Sequence, residues 1–136
     1  MNRTLVIVKP DGVERGLVGD IVARLERKQL RIVAADLRVI DRATAETHYA
    51  EHKGRDYFEP LVAFITRGPS LVMVLEGPVD TWRVVRSLMG STNPQEAAPG
   101  TIRGDLAMHM AENLIHGSDS ADSARREVEI FFPRLG

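Results

Sequence analysis

Three features of the sequence predict an α+β fold. Four short segments are β-branched or continuously apolar: Thr4 to Val8, Arg31 to Ile40, Leu71 to Leu75 and Leu114 to His116. Several of the stretches between them repeat apolar residues with the period of an amphipathic helix. The order is β-α-β-α-α-β-α-loop-β-α. Its core, βαββαβ with additional helices, suggests a ferredoxin-like antiparallel four-stranded sheet with helices on one face. Alternation alone also admits a parallel α/β sheet, so the pattern leaves the topology open.

Each element has a local reason. Thr4 to Val8 is β-branched and apolar and stops at Lys9-Pro10-Asp11-Gly12, which reads as a turn. From Gly16 to Gln29, Leu17, Ile21 and Leu25 recur at helical spacing with charges opposite. Arg31 to Ile40 reads as a long second strand. Arg42 to His52 has helical composition with a weak apolar face. Phe58 to Thr66 reads as a helix, since Pro60 is tolerated in a first turn, and Gly68-Pro69 stops it. Leu71 to Leu75 is apolar throughout, as a covered central strand requires. Val79 to Met89 places Trp82, Val85 and Met89 on one side of a helix. Gly90 to Arg103 carries Asn93-Pro94 and Pro99-Gly100 without an apolar period, and is predicted to be an ordered functional loop. The last helix would bury Ala121, Ala124, Val128 and Phe131.

The bulk composition excludes several roles. The 136 residues fit one domain, 1–136, large enough for a real core. Hydrophobic residues are 43% and charged residues 27%, ordinary for a globular chain. A net charge of -1, an aromatic content of 5% and the lack of a basic run argue against nucleic-acid binding as a primary role. There is no cysteine, so disulfides, thiolate metal sites and thiol nucleophiles are excluded. No apolar stretch has the length of a signal segment or a membrane span. A cytoplasmic location is expected.

The chemistry centres on Asn113-Leu114-Ile115-His116-Gly117-Ser118-Asp119-Ser120. A strand ends on a histidine, a small-residue turn follows, and a helix begins. Imidazole is a good nucleophile near neutral pH. Glu127 lies three residues after Ala124 and four before Phe131, on the inward stripe of the last helix. An inward carboxylate needs a partner. Two are open on spacing: His116, whose free ring nitrogen would then attack, or a rim Arg or Lys. Ser118, Asp119 and Ser120 are all good helix caps, and a carboxylate there suits a hydrated Mg2+.

Other candidates are weaker singly. His48 and His52 are four apart and could share a helix face as metal ligands, but no H-E-x-x-H motif supports them and that helix is expected to be exposed. His109, between methionines, reads as surface or partly buried. No Walker or Rossmann glycine motif is present. Lys9, Arg86 and Arg103 are each a solvated charge unless a phosphate lies nearby, and Thr92 and Thr101 are ordinary loop residues unless a ligand is there.

Together these residues resemble the nucleoside diphosphate kinase family over nearly the whole chain. The resemblance rests on Val8-Lys9-Pro10-Asp11-Gly12-Val13-Glu14-Arg15-Gly16, His48-Tyr49, Glu76-Gly77, Gly90-Ser91-Thr92-Asn93-Pro94, Pro99-Gly100-Thr101-Ile102-Arg103-Gly104-Asp105 and the His116 segment, in the family's order and spacing. It implies ping-pong transfer of a γ-phosphate from a nucleoside triphosphate to a nucleoside diphosphate. His116 would be phosphorylated, with Glu127 and Ser118 orienting it. Lys9, Arg86, Thr92 and Arg103 would hold phosphates. Lys9 and Asn113 would bind sugar hydroxyls, with Tyr49 supporting the Lys9 end. Asp119 would help place Mg2+. The base, of ribo- or deoxyribonucleotides, would sit between Tyr57, backed by Leu61, and Met110. The segment from Gly90 to about Glu112 would close one side.

The sequence departs from the common family pattern at Asp56, Tyr57, Ala111 and Glu112, and it ends at Gly136 without a longer tail. The resemblance implies tetramers or hexamers built from a common dimer, and a homo-hexamer is expected. The competing expectation is a catalytically inactive nucleotide-binding module on the same fold.

Overall fold

A computed structural model describes residues 2–135. Strand β1 (Arg3–Val8) leads into a one-turn helix α1 (Pro10–Glu14) and helix α2 (Val18–Arg27). Then come β2 (Arg31–Arg38), α3 (Arg42–His48), α4 (Phe58–Thr66), β3 (Ser70–Glu76) and α5 (Thr81–Met89). The chain closes with α6 (Ile102–Leu106), β4 (Ile115–Gly117) and α7 (Ala121–Phe131). Turns of 3-10 helix lie at Ala50–His52 and Pro94–Glu96.

The four strands form one sheet in the order β2-β3-β1-β4, with every neighbouring pair antiparallel. This is the ferredoxin-like arrangement, and the parallel alternative is excluded. β1 is central, and Leu5 to Val8 are fully buried. Its alternating side chains feed two separate cores. Val6 and Val8 pack with Ile21 and Leu25 of α2, Val85 and Met89 of α5, and Ile102 of α6. Leu5 and Ile7 pack with Ala45 of α3, Val62 and Ile65 of α4, and Phe131 of α7. Helices therefore cover both faces of the sheet, not one as expected. The helices that complete βαββαβ take one face, and α3, α4 and α7 take the other. A β1 that is apolar at every position needs cover on both sides.

Local differences have local causes. The Lys9–Gly12 turn is the start of α1, because Pro10 sits at its first turn with φ already set for a helix. β2 stops at Arg38, two residues short of the expected end. Helix α2 is shorter than its pattern, with Gly16 at φ 71° before it and Gln29 at φ 71° after it. The loop after α5 contains α6, whose N-cap Thr101 side chain accepts from the Gly104 N–H. In α7 the fully buried positions are Ala124, Glu127 and Phe131, while Ala121 and Val128 are only partly covered.

Candidate active site

Sheet register aims the key histidine. His116 is directly opposite Ile7 in the antiparallel β4–β1 pair. Directly paired residues point to the same face. His116 therefore faces the side covered by α3 and α7, where α7 presents Glu127. Its neighbour Ile115 points to the opposite core. Gly117 follows because α5 crosses there. A Cβ on it would lie 2.6 Å from the Met89 sulfur and 3.2 Å from Val85 Cγ1.

His116 Nε2 lies 2.7 Å from Glu127 Oε1. Ser118 Oγ donates to the same oxygen at 2.8 Å. An ionised carboxylate only accepts, so Nε2 carries the proton and Nδ1 keeps its lone pair. Burial pushes the Glu127 carboxyl up, but the bonds from His116 and Ser118 outweigh it and hold Glu127 below the ordinary range. Of the two partners open on spacing, the histidine is the one the fold provides.

Cations gather around this pair. Lys9 Nζ donates to Asn113 Oδ1 at 2.8 Å. Arg86 Nη1 donates to the Gly117 carbonyl at 3.0 Å. Arg103 donates to the carbonyls of Asn113 at 3.1 Å, Gly90 at 3.1 Å and Ile115 at 2.6 Å. Among the described residues, none of these three cations has a carboxylate within ion-pairing distance. Burial, then the Arg103 charge, push the Lys9 ammonium down to about 8, against the pull of Asp11. Burial and Arg86 lower Arg103 to about 10, so it stays charged at neutral pH. Three cations held together with no direct ion pair among the described residues make a site prepared for an anion.

The remaining expected residues line the same cleft. It has a volume of about 200 Å³ and is bordered by Lys9, Tyr49, Arg86, Thr92, Arg103, Asn113, His116, Asp119 and Glu127. Tyr49 is buried, and burial followed by the Glu127 charge raises its hydroxyl to about 12. The Thr92 carbonyl accepts from Asn113 Nδ2 at 3.0 Å, which fixes the Asn113 amide. Asp119 is exposed at the rim and accepts from Ser123 Oγ at 2.7 Å. Glu51 is a second exposed carboxylate on the cleft, and an exposed carboxylate beside an anion site suits a Mg2+ that keeps most of its water.

A second groove, of about 540 Å³, has Tyr57, Leu61 and Phe64 on one side and Met110, Ala111 and Glu112 on the other. The three residues expected at the base are thus brought together. The Tyr57 hydroxyl lies 2.9 Å from His52 Nδ1, which steadies the ring.

His48 corrects the sequence reading. It is buried, not exposed, and its ring meets His116 edge-on at 4.7 Å between centroids. Helix α3 ends at His48, so His48 and His52 do not share a helix face as metal ligands. Burial first, then the neighbouring His116, lower His48 to about 3, and it stays neutral. Its missed signal was its place next to Tyr49 in a motif with no role assigned to the histidine. The donor atoms of His48, His116 and Glu127 lie within 4.8 Å of one another. Lys9, Arg86 and Arg103 around them oppose a bare dication there. His109 is exposed and forms an isolated bridge with Glu112.

The family model described as nucleoside diphosphate kinase matches residues 2–135. A nucleoside diphosphate kinase from Parafrankia sp. (strain EAN1pec) is 56% identical over 133 residues, 98% of this chain and 96% of that protein. One from Listeria monocytogenes serotype 4a is 59% identical over 132 residues, 97% of this chain and 89% of that protein. Among solved structures, the halophilic nucleoside diphosphate kinase from Halobacterium salinarum in complex with CDP superposes with a TM-score of 0.92 at 55% identity. That match covers 96% of this chain and 86% of the other. A Babesia bovis family protein gives a TM-score of 0.94 at 43% identity, covering 97% and 88%.

Proposed function

The chain belongs to the nucleoside diphosphate kinase family and is an enzyme of phosphate transfer between nucleoside tri- and diphosphates, and on that premise we propose that it works by ping-pong transfer through a phosphohistidine on His116. The observation that carries this reading is the His116–Glu127 bond, which leaves Nδ1 unprotonated in a cleft lined by Lys9, Arg86 and Arg103.

In the first half-reaction Nδ1 attacks the γ-phosphorus of a nucleoside triphosphate. The N–P bond forms, the bond from phosphorus to the β-bridging oxygen breaks, and the diphosphate leaves with the electron pair. In the second, a β-phosphate oxygen of another diphosphate attacks the phosphorus and the N–P bond breaks. Nδ1 regains its lone pair. Positive charge develops on the ring as the N–P bond forms, and Glu127 beside Nε2–H stabilises it. Ser118 fixes the carboxylate. Lys9, Arg86 and Arg103 counter the charge of the transferring group, with Thr92 as a further phosphate donor. Lys9 and Asn113 meet the sugar hydroxyls, and Tyr49 packs the Lys9 end. Mg2+ would be held by Asp119 through water and would neutralise phosphate charge.

The base is assigned to the groove between Tyr57, backed by Leu61, and Met110. Apolar and stacking contact accepts any flat base, on ribose or deoxyribose. The departures at Tyr57, Ala111 and Glu112 line this groove, and neither they nor Asp56 line the cation cleft, which favours an active enzyme over an inactive binding module. The same reading carries one domain, a cytoplasmic location and a homo-oligomer, with a hexamer favoured over a tetramer and sedimentation the deciding measurement. Among the described residues no helix is long and apolar enough to cross a membrane.

The test is brief exposure to γ-labelled ATP with Mg2+, then a chase with unlabelled CDP or GDP. Label stable to alkali, lost in acid and released as labelled CTP or GTP is the expected result. A folded, ATP-binding protein that takes up no label overturns the proposal.

A further inference from the structure

The two walls of the base groove are joined by one arginine. Arg67 follows α4, and its guanidinium lies over the Phe64 ring, 4.7 Å from the centroid. Two of its nitrogens grip Glu14 of α1, Nη2 to Oε1 at 2.7 Å and Nε to Oε2 at 3.1 Å. The third, Nη1, donates to Glu112 Oε2 at 2.9 Å. The arginine is thus fixed by α1 and the Phe64 ring, and Glu112 is the group it holds.

What it holds has little packing of its own. Met108 and Met110 are 63% and 57% exposed, so burial does not pin this segment. The His109–Glu112 backbone bridge is internal to the segment, and Gln95 Nε2 ties it outward through a long 3.4 Å bond to the Met108 carbonyl. A segment with few buried apolar contacts opens easily. The side chain that faces Tyr57 and Leu61 across the groove, Met110, lies two residues before Glu112 on that segment.

We propose that Arg67 is a positioning residue that clips Glu112, and with it the Met110 wall, onto helix α4, so that this ion pair sets the width of the base groove and the affinity for every nucleotide. The clip touches neither the phosphate cations nor His116. It therefore acts on binding and leaves the phosphoryl step alone. The proposal rests on assigning this groove to the base.

The experiment measures KM and kcat for two different nucleotides in Arg67→Ala, Glu112→Gln, the double variant and Tyr57→Ala. Glu112→Gln leaves the Arg67–Glu14 pair in place, so it reports the clip even if Arg67→Ala lowers stability. Each clip variant is expected to raise both KM values by about 3- to 5-fold, with kcat changed less than about twofold. The double variant should be no worse than the worse single one, since the two residues form one unit. Raising salt from about 0.05 to 0.5 M should increase KM more steeply in the parent than in the double variant. Glu112→Gln with unchanged KM, or effects that simply add, would sink the clip while a raised KM in Tyr57→Ala upholds the groove. If Tyr57→Ala also leaves KM unchanged, the groove assignment fails and the clip with it.

Discussion

Asp11 and Leu114 are separated by 103 residues in sequence, yet the Leu114 N–H donates to Asp11 Oδ2 at 3.1 Å. The Leu114 carbonyl in turn accepts from the Lys9 N–H at 2.8 Å. Leu114 has φ 73°, a left-handed backbone that a leucine adopts only when its surroundings impose it. The two bonds hold that strained residue between Asn113, which meets Lys9 and Arg103, and the strand carrying His116. The buried Asp11 is thus a strut beneath the cleft.

Removing the strut should cost more than one hydrogen bond. Asp11→Ala leaves a buried N–H unpaired and a strained residue unsupported, and should lower unfolding free energy by about 2–3 kcal/mol. Asp11→Asn keeps an acceptor oxygen and avoids the burial that raises the Asp11 carboxyl, so its loss should be under about 1 kcal/mol. Urea unfolding of both variants checks this. Equal losses would mean that the charge, not the acceptor, supports Leu114.

Lys9 should link nucleotide affinity to alkaline pH. In the free protein its ammonium is lowered to about 8 by burial and Arg103. A bound phosphate favours the charged form, so binding above pH 8 should draw in a proton. Affinity should then fall as pH rises through about 8. Folding runs the other way. A lowered lysine costs stability below its folded value and is relieved as pH rises toward 10.5. Calorimetry in buffers of different ionisation heat reads the proton uptake, and its absence at alkaline pH would show that Lys9 does not meet the phosphates.

Glu127 should matter for rate and for acid stability. Glu127→Ala frees the His116 ring to turn and to change tautomer. The phosphorylation rate should drop about 10²-fold with little change in nucleotide KM. The folded value of Glu127 is depressed, so its stabilisation is present above the unfolded value of 4.5 and is lost as pH falls through the folded value. Glu127→Gln should lack that part of the acid dependence. Single-turnover labelling and unfolding scans below about pH 5 separate the two effects.

Gly104 should be intolerant of a side chain, although it lies in a helix. A Cβ there would collide with the Ala98 carbonyl, which is backbone and cannot swing aside. Gly104→Ala should displace the segment from Ala98 to Arg103 and drag Arg103 from its three carbonyl acceptors. Nucleotide KM should rise several-fold and stability fall by about 1–3 kcal/mol. A variant with parental KM would show that Arg103 is positioned independently of this loop.

Local periodicity alone determined much of this protein. Phe58 to Thr66 is a helix with the bounds its sequence predicts, because Pro60 falls in the first turn and Gly68-Pro69 allows no continuation. The fully apolar runs of β1 and β3 marked the sheet centre. The inward position of Glu127 follows from the 3.6 period, but His116 is the middle residue of β4 (Ile115–Gly117) and not its end as expected, because Leu114 takes a left-handed backbone and the strand pairing reaches Gly117. Tertiary structure decided what periodicity does not encode. Whether helices take one face or two depends on which strand becomes central. His48 looked exposed because α3 is short and weakly apolar, and it became buried because that helix end packs on β4 and α7. The Arg67–Glu112 clip joins residues 45 apart whose charges look like ordinary solvated surface. Register, burial and long-range charge pairing arise only when distant segments meet, and a local pattern carries no record of that meeting.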